Sequence, residues 1–247
     1  MAKRSPAAGW RLRDGVKRAQ RDEHRLRLAE LAPRCTFDAD SHTYAVDGVP
    51  LVSVTQVLTE ERFIDFSGVP DRILTAAQGR GTYVHTVLHY YLDGDFDLDD
   101  CEPSYRGYVD SALRYLALVN KRPVQTVDGR AQSAEFRFWH VERKFAGTVD
   151  YVGFDGDGVL SIDDWKTGEP SDVAAPLQTA AYELGVRTYL QPLLEPSYIG
   201  QIKRRAVKLY RDGSPGRPEP YDDPRDLNQF FAALSCVHYR RNGMRHP

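Results

Sequence analysis

Asp150, Asp164 and Lys166 fall within one short stretch, residues 145–168, which reads FAGTVDYVGFDGDGVLSIDDWKTG. Two β-like runs flank Asp155-Gly156-Asp157-Gly158, a strong tight-turn signal, so the stretch reads as a hairpin. Side chains alternate faces along a strand. On the second run Leu160, Ile162, Asp164 and Lys166 therefore share one face, and Val159, Ser161, Asp163 and Trp165 share the other. On the first run Thr148, Asp150, Val152 and Phe154 share a face. Pairing across the turn brings Asp150 toward Asp164. Two carboxylates and an ammonium at one end of a hairpin suit a divalent cation and a phosphate. A strand-end salt bridge uses the same residues, and the hairpin alone does not choose between the two.

The elements that must position these groups lie on either side. Residues 71–92 carry the clearest helical pattern, with Val84, Val87, Leu88, Tyr91 and Leu92 recurring at helical spacing. Gly79 and Gly81 weaken its first half, so a restart near Gly81 is expected. Gly81, His85 and His89 share a face, and a glycine one turn before His85 allows close backbone approach. A zinc-protease helix needs Glu directly after the first histidine, and Thr86 stands there instead. Residues 131–140 alternate as a strand, with Glu135, Arg137 and Trp139 on one side and Phe136 and Phe138 on the other. They extend the hairpin to a three-stranded meander. Residues 173–190 form a helix that presents Gln178 and Tyr182 four residues apart.

Earlier in the chain, Thr36–Phe37 and Thr43–Val46 read as short strands. Asp47-Gly48 is a turn, and Ser53 is an N-cap for a helix through Leu58. The acidic loop 93–100 lacks the glycine and terminal glutamate of an EF-hand. Residues 102–120 form another helix. Two strands are expected within 196–210, then a Pro/Gly-rich loop from Asp212-Gly213, then a closing helix over 226–240.

The chain has 247 residues, 41% of them hydrophobic and 28% charged, enough for a sizeable core in a polar surface. The mean hydropathy is -0.52. No apolar run approaches the roughly 20 residues that span a bilayer, and the first residues have no apolar stretch of a secretory leader. Cys35, Cys101 and Cys236 form neither a CxxC pair nor an even framework, which points to a reducing compartment. The net charge of -2 is unevenly spread: +6 over residues 1–34, +5 over 202–247 and -13 between. Basic ends around an acidic middle suit phosphate-binding arms beside a metal centre. Residues 1–34 read as a basic helical arm, and 35–247 as one domain.

The series Gly81-x-x-x-His85, Gly147-x-x-Asp150, Asp164-x-Lys166-Thr167-Gly168 and Gln178-x-x-x-Tyr182 resembles the RecB-like, phage-type exonuclease branch of the PD-(D/E)XK nuclease superfamily. His42-x-Tyr44, Asp47-Gly48 and Ser53-Val54-Thr55 are similar to its leading segment. The resemblance runs from about 36 to 240 and implies an α/β (α+β) restriction-endonuclease-like core, a central mixed sheet flanked by helices. It implies that His85, Asp150, Asp164 and the Trp165 carbonyl hold one or two Mg²⁺ or Mn²⁺ ions. Some relatives carry a four-cysteine iron–sulfur staple, which three scattered cysteines cannot make alone, so no iron–sulfur cluster is expected. By the same resemblance Lys166 is catalytic, Gln178 and Tyr182 serve DNA contact or site architecture, and Glu135 is a further metal or substrate contact. Asp163 departs from the usual apolar residue before the catalytic acid, but only Asp164 shares a face with Lys166.

The expected activity is metal-dependent exonucleolytic hydrolysis of DNA in recombination, repair or replication. A structure-specific or restriction-type endonuclease and a non-catalytic DNA-binding module of the same fold are the alternatives. Lys203, Arg204, Arg205 and Lys208 are expected to contact the DNA backbone. Tyr83, Trp165 and Tyr182 are candidates for stacking on frayed bases. The basic arm is a candidate surface for a recombinase or single-strand-binding protein, in the cytoplasm of a bacterial or phage-infected cell and away from membranes.

Overall fold

The computed structural model describes residues 34–39, 41–124, 133–190 and 202–243. The basic arm and the first part of the 196–210 segment therefore lie outside the described residues. Nine strands and five α-helices build the rest. In chain order they are β1 (Cys35–Asp38), β2 (Thr43–Val46), β3 (Val49–Ser53), α1 (Val54–Glu60), α2 (Asp71–Asp93), α3 (Pro103–Leu118) and β4 (Arg122–Pro123). Then come β5 (Ala134–His140), β6 (Phe145–Phe154), β7 (Leu160–Lys166), α4 (Ala174–Leu190), β8 (Ile202–Lys208), β9 (Arg217–Tyr221) and α5 (Arg225–Gly243). None of the described helices is long and apolar enough to cross a membrane.

Local chemistry sets the early elements. Asp47 and Gly48 both have positive φ, 52° and 75°, as a two-residue hairpin turn with the right twist requires. Ser53 ends β3 and caps α1 in a reciprocal capping box with Gln56. α2 runs unbroken through Gly79 and Gly81 for 23 residues and stops at Gly94 in the left-handed region. The expected restart does not occur. Burial of Val84, Val87 and Leu88 outweighs a glycine cost of about 1 kcal/mol each.

The sheet order is β1-β2-β3-β6-β7-β8-β9, with β4 and β5 also paired to β6. β3 with β6 and β7 with β8 are parallel, and the other pairs are antiparallel, so the sheet is mixed as expected. β9 is the far edge, with Pro218 and Pro220 inside it, where a missing N–H is tolerated. The turn composition of 212–220 had concealed this strand.

One consequence of the pairing places the site. β5 covers one edge of β6 from Phe145 to Tyr151. On the other edge β3 pairs only as far as Ala146, and β7 only from Tyr151 onward. Residues 147–150, Gly-Thr-Val-Asp, therefore lie in a split between β3 and β7.

Helices cover both faces. Val152, Phe154, Leu160 and Ile162 pack with α1, α4 and α5, and Tyr151, Trp165 and Val207 pack with α2 and α3. The simple alternation expected for β6 breaks at Asp150. Val149 joins the same core as Val152, whereas Tyr151 joins the opposite one. Its neighbour Glu135 has φ +49°, a strained value for a residue with a side chain, and the β5–β6 pair changes face there.

Gly147 is required by packing. A Cβ there would stand 2.9 Å from Cε1 and Cζ of Phe138 and 3.2 Å from Cε1 of Tyr182. A Cβ on Gly81 would meet only Thr167 Oγ1, at 3.9 Å, so close approach does not explain that glycine.

Candidate active site

The split between the strands assembles the site. Tyr151 opposes Asp163, so Asp150 faces Asp164 across the diverging end of the hairpin. There the backbone N–H of Trp165 donates to Asp150 Oδ2 at 2.7 Å instead of to a strand carbonyl. The carboxylate thus occupies the place of the missing ladder bond and is fixed by it.

His85 comes in from α2. Its Nδ1 lies 3.3 Å from Asp150 Oδ1, and its Nε2 lies 3.1 Å from the Trp165 carbonyl. An imidazole with an acceptor at each nitrogen is best satisfied as the cation. Burial opposes that charge, but the Asp150 carboxylate, with Glu135 beyond it, prevails and pushes the pKa up to about 9. A metal taking this nitrogen competes with a proton.

Glu135, His85 and Asp150 each offer a ligand atom within 4.8 Å of the others. Asp164 is outside that group. It is 2% exposed, and its Oδ2 lies 2.6 Å from Lys166 Nζ. Lys166 Nζ also donates to Gln178 Oε1 at 3.1 Å, and Gln178 Nε2 donates to the Tyr182 hydroxyl at 2.9 Å. Alternation along β7 thus sets Asp164 and Lys166 on the α4 side, and Gln178 and Tyr182 form a buried tether behind the lysine.

The site carries more negative charge than its own cations balance. Burial, and then the Asp150 charge, push Glu135 up to about 7. Burial also lifts Asp164 to about 6, with Asp150 adding to it against the pull of Lys166. Asp150 stays low despite its burial, because His85 and Lys166 face it and Trp165 bonds it. Burial likewise opposes the Lys166 ammonium, but Asp164 and Asp150 raise its pKa. Crowded carboxylates with raised pKa values beside one nitrogen donor fit a hard divalent cation such as Mg²⁺ or Mn²⁺.

The crowding has a measurable cost. Glu135 ionises near pH 4.5 when unfolded and near 7 when folded, so stability is lost as the pH rises through that window. Glu135→Gln removes the titration. At pH 8, without metal, it is expected to stabilise the protein by roughly 1–3 kcal/mol, with no gain at pH 4. Urea unfolding at the two pH values checks this, and an equal effect at both would show that the charge is not the cause.

The basic strand corrects an expectation. β8 does not present Arg204 and Arg205 to solvent; they are 5% and 8% exposed. Arg204 pairs with Asp226 at 3.0 Å and Glu183 at 3.2 Å. Arg205 pairs with Asp155 and Asp163, both at 2.8 Å. Asp163 also holds Lys121 at 2.5 Å and accepts from Tyr115 at 3.0 Å. Lys203 bonds Asp157 and Asp155, and Lys208 pairs with Glu169. The reason is the parallel pairing of β7 with β8, which sets Arg205 directly beside Asp163. Trp165, 2% exposed, is likewise core rather than a stacking surface, and Tyr182 is buried at 5%. The Tyr83 hydroxyl accepts from the Glu102 N–H.

Glu135 is expected from the resemblance as a further metal or substrate contact, whereas nothing in the sequence singles out Lys121 or the buried role of Asp155. Glu135 lies across the β5–β6 hairpin from Asp150, at the one step where the ladder skips both residues. Asp155 reads as a turn residue until its partners are known.

No curated protein matches the chain. The sequence model of the PD-(D/E)XK nuclease superfamily matches residues 67–245, a span that runs from the start of α2 to the end of α5 and takes in His85, Asp150, Asp164, Lys166, Gln178 and Tyr182. With the mixed sheet and the acid–lysine pair on β7, that match makes the chain a member of the PD-(D/E)XK nuclease superfamily.

Proposed function

We propose that the protein is a metal-dependent DNA exonuclease of the RecB-like, phage-type branch, cutting phosphodiester bonds at DNA ends. The observation that carries this reading is the convergence at one strand split of His85, Glu135, Asp150, Asp164 and Lys166, with Gln178 and Tyr182 behind the lysine. Glu135 apart, these residues belong to the series that resembles that branch in order and spacing.

His85, Glu135 and Asp150 would hold the metal, with Asp164 and the Trp165 carbonyl completing its surroundings. When bound, Mg²⁺ or Mn²⁺ supplies charge relief at the phosphate and a more acidic water. In the reaction a water oxygen bonds to phosphorus as the bond to the leaving sugar oxygen breaks. Lys166 stands where its ammonium can donate to a phosphate oxygen as charge builds there. Asp164 orients that ammonium from one side and Gln178 from the other, while Tyr182 fixes the Gln178 amide. His85 would have to be without its proton on the nitrogen that serves as a ligand. Residues 1–34 would serve as a basic arm for a recombinase or single-strand-binding protein, and the setting would be cytoplasmic recombination, repair or replication.

The test uses end-labelled linear duplex, single-stranded DNA and closed circular plasmid, each with Mg²⁺, Mn²⁺ or EDTA. Asp164→Ala serves as the contamination control. Metal-dependent loss of the linear substrates alone, absent in the variant, is the expected result. Cutting of the closed circle would replace this reading with an endonuclease. Binding without any cleavage would replace it with an accessory module.

A further inference from the structure

Burial of Arg204 and Arg205 leaves a nuclease in need of another cation beside its site. β5 supplies one. Arg137 is exposed and lies two residues beyond Glu135, roughly 7 Å along the strand. Among the described residues no carboxylate lies within ion-pair distance of it. Its guanidinium instead sits over the Phe37 ring, 4.5 Å from the centroid. The charge of Arg137 reaches Glu135, His42 and Tyr44, so it belongs to the electrostatic surroundings of the metal cluster.

The ring beneath it is part of a built platform. Phe37 meets His42 edge-on at 5.2 Å, and His42 meets Tyr44 edge-on at 5.5 Å. The Tyr44 hydroxyl lies 2.6 Å from Thr148 Oγ1, which anchors the β1–β2 hairpin to β6 beside Asp150. His42 is exposed and holds φ +50°, uncommon for a residue with a side chain. A guanidinium on an aromatic face, with no carboxylate partner among the described residues and next to an exposed ring, combines the groups that recognise a nucleotide of a single strand: a phosphate fork and a stacking surface.

We propose that Arg137 binds the phosphate adjacent to the scissile one, and that Phe37 and His42 hold that guanidinium in place and support the attached base, so that the substrate strand reaches the site unpaired. The assignment rests on the nuclease reading above and adds the path of the strand. Phe37 acts as a positioning residue. Stacking fixes the guanidinium plane before the phosphate arrives and lowers the ordering cost of binding.

The experiment is equilibrium binding of a fluorescein-labelled oligothymidylate to the full chain in EDTA across a salt series. Arg137→Ala is expected to weaken binding about tenfold. It should also reduce the slope of log K against log salt by about 0.7, one phosphate contact on a single strand. Arg137→Lys keeps the charge and should restore the slope without the full affinity. Phe37→Leu should leave the slope intact and weaken binding. An affinity and slope for Arg137→Ala equal to wild type would overturn the proposal, as would a slope for Arg137→Lys as low as for alanine. Because no turnover is involved, a wild-type protein that fails to cut DNA would sink the exonuclease reading alone.

Discussion

Lys166→Ala is expected to lower the turnover of linear DNA about 10²- to 10³-fold, with DNA binding in EDTA retained. The size follows from what the ammonium does. It is held 2.6 Å from Asp164 and 3.1 Å from Gln178, between a buried carboxylate and a buried amide. A positive donor fixed in advance costs no reorganisation when charge develops on the phosphate. Removing it takes away the counter-charge nearest Asp164 and leaves His85 alone against the two carboxylates, so the Asp164 pKa, already about 6, should climb further. The pH–rate profile of the variant should accordingly need a higher pH to reach its plateau. Gln178→Ala keeps the charge but frees it, and its rate should fall between the two. Single-turnover kinetics with end-labelled DNA give all three rates. Turnover of Lys166→Ala near the wild-type rate would remove the lysine from the mechanism.

The hairpin, its turn and the shared face of Asp164 and Lys166 were legible from sequence because each depends on neighbours a few residues away. The Ser53 cap and the helices around Val84, Tyr115 and Leu177 were legible for the same reason. Pairing between distant strands was not. β3 follows the Asp47-Gly48 turn as only five residues, and its parallel contact with β6 joins segments nearly a hundred positions apart. Glu135 alternates with its neighbours on paper. Its positive φ and the skipped step of the β5–β6 ladder beside Asp150 follow from no alternation rule, and they set its carboxylate within 4.8 Å of the His85 and Asp150 ligand atoms.

The burial of Arg204 and Arg205 is hidden from the sequence for a related reason. Four cations in six residues look like a solvated stripe until their partners are found. Those partners come from the hairpin turn, from β7, from α4 and its approach, and from the start of α5. Asp155 shows the same blindness in the other direction. Its place in a turn hid a carboxylate that three cations share.

Arg205→Ala is therefore expected to cost roughly 3–5 kcal/mol of stability, the range for breaking a buried ion pair from one side. Asp163 is fully buried, and Asp155 is 5% exposed. With Arg205 gone, Asp163 retains Lys121 and the Tyr115 hydroxyl, and Asp155 retains Lys121 and Lys203. Two buried carboxylates would then lean on one fully buried ammonium. Acid should separate variant from wild type. Burial alone would raise the Asp155 pKa, but Arg205 and Lys121 hold it well below the ordinary carboxylate range. A depressed folded pKa contributes stability above the unfolded value of about 3.9, and that stability is lost as the pH falls toward the folded one. The wild type should thus weaken steadily below about pH 5, and the variant, already without much of that contribution, less steeply. Urea titrations from neutral to acid pH give both curves. A strand that served DNA rather than the core would behave oppositely: Arg205→Ala would fold with wild-type stability and lose salt-sensitive binding. The internal pairing requires the reverse, a destabilised protein whose folded fraction keeps the wild-type salt slope.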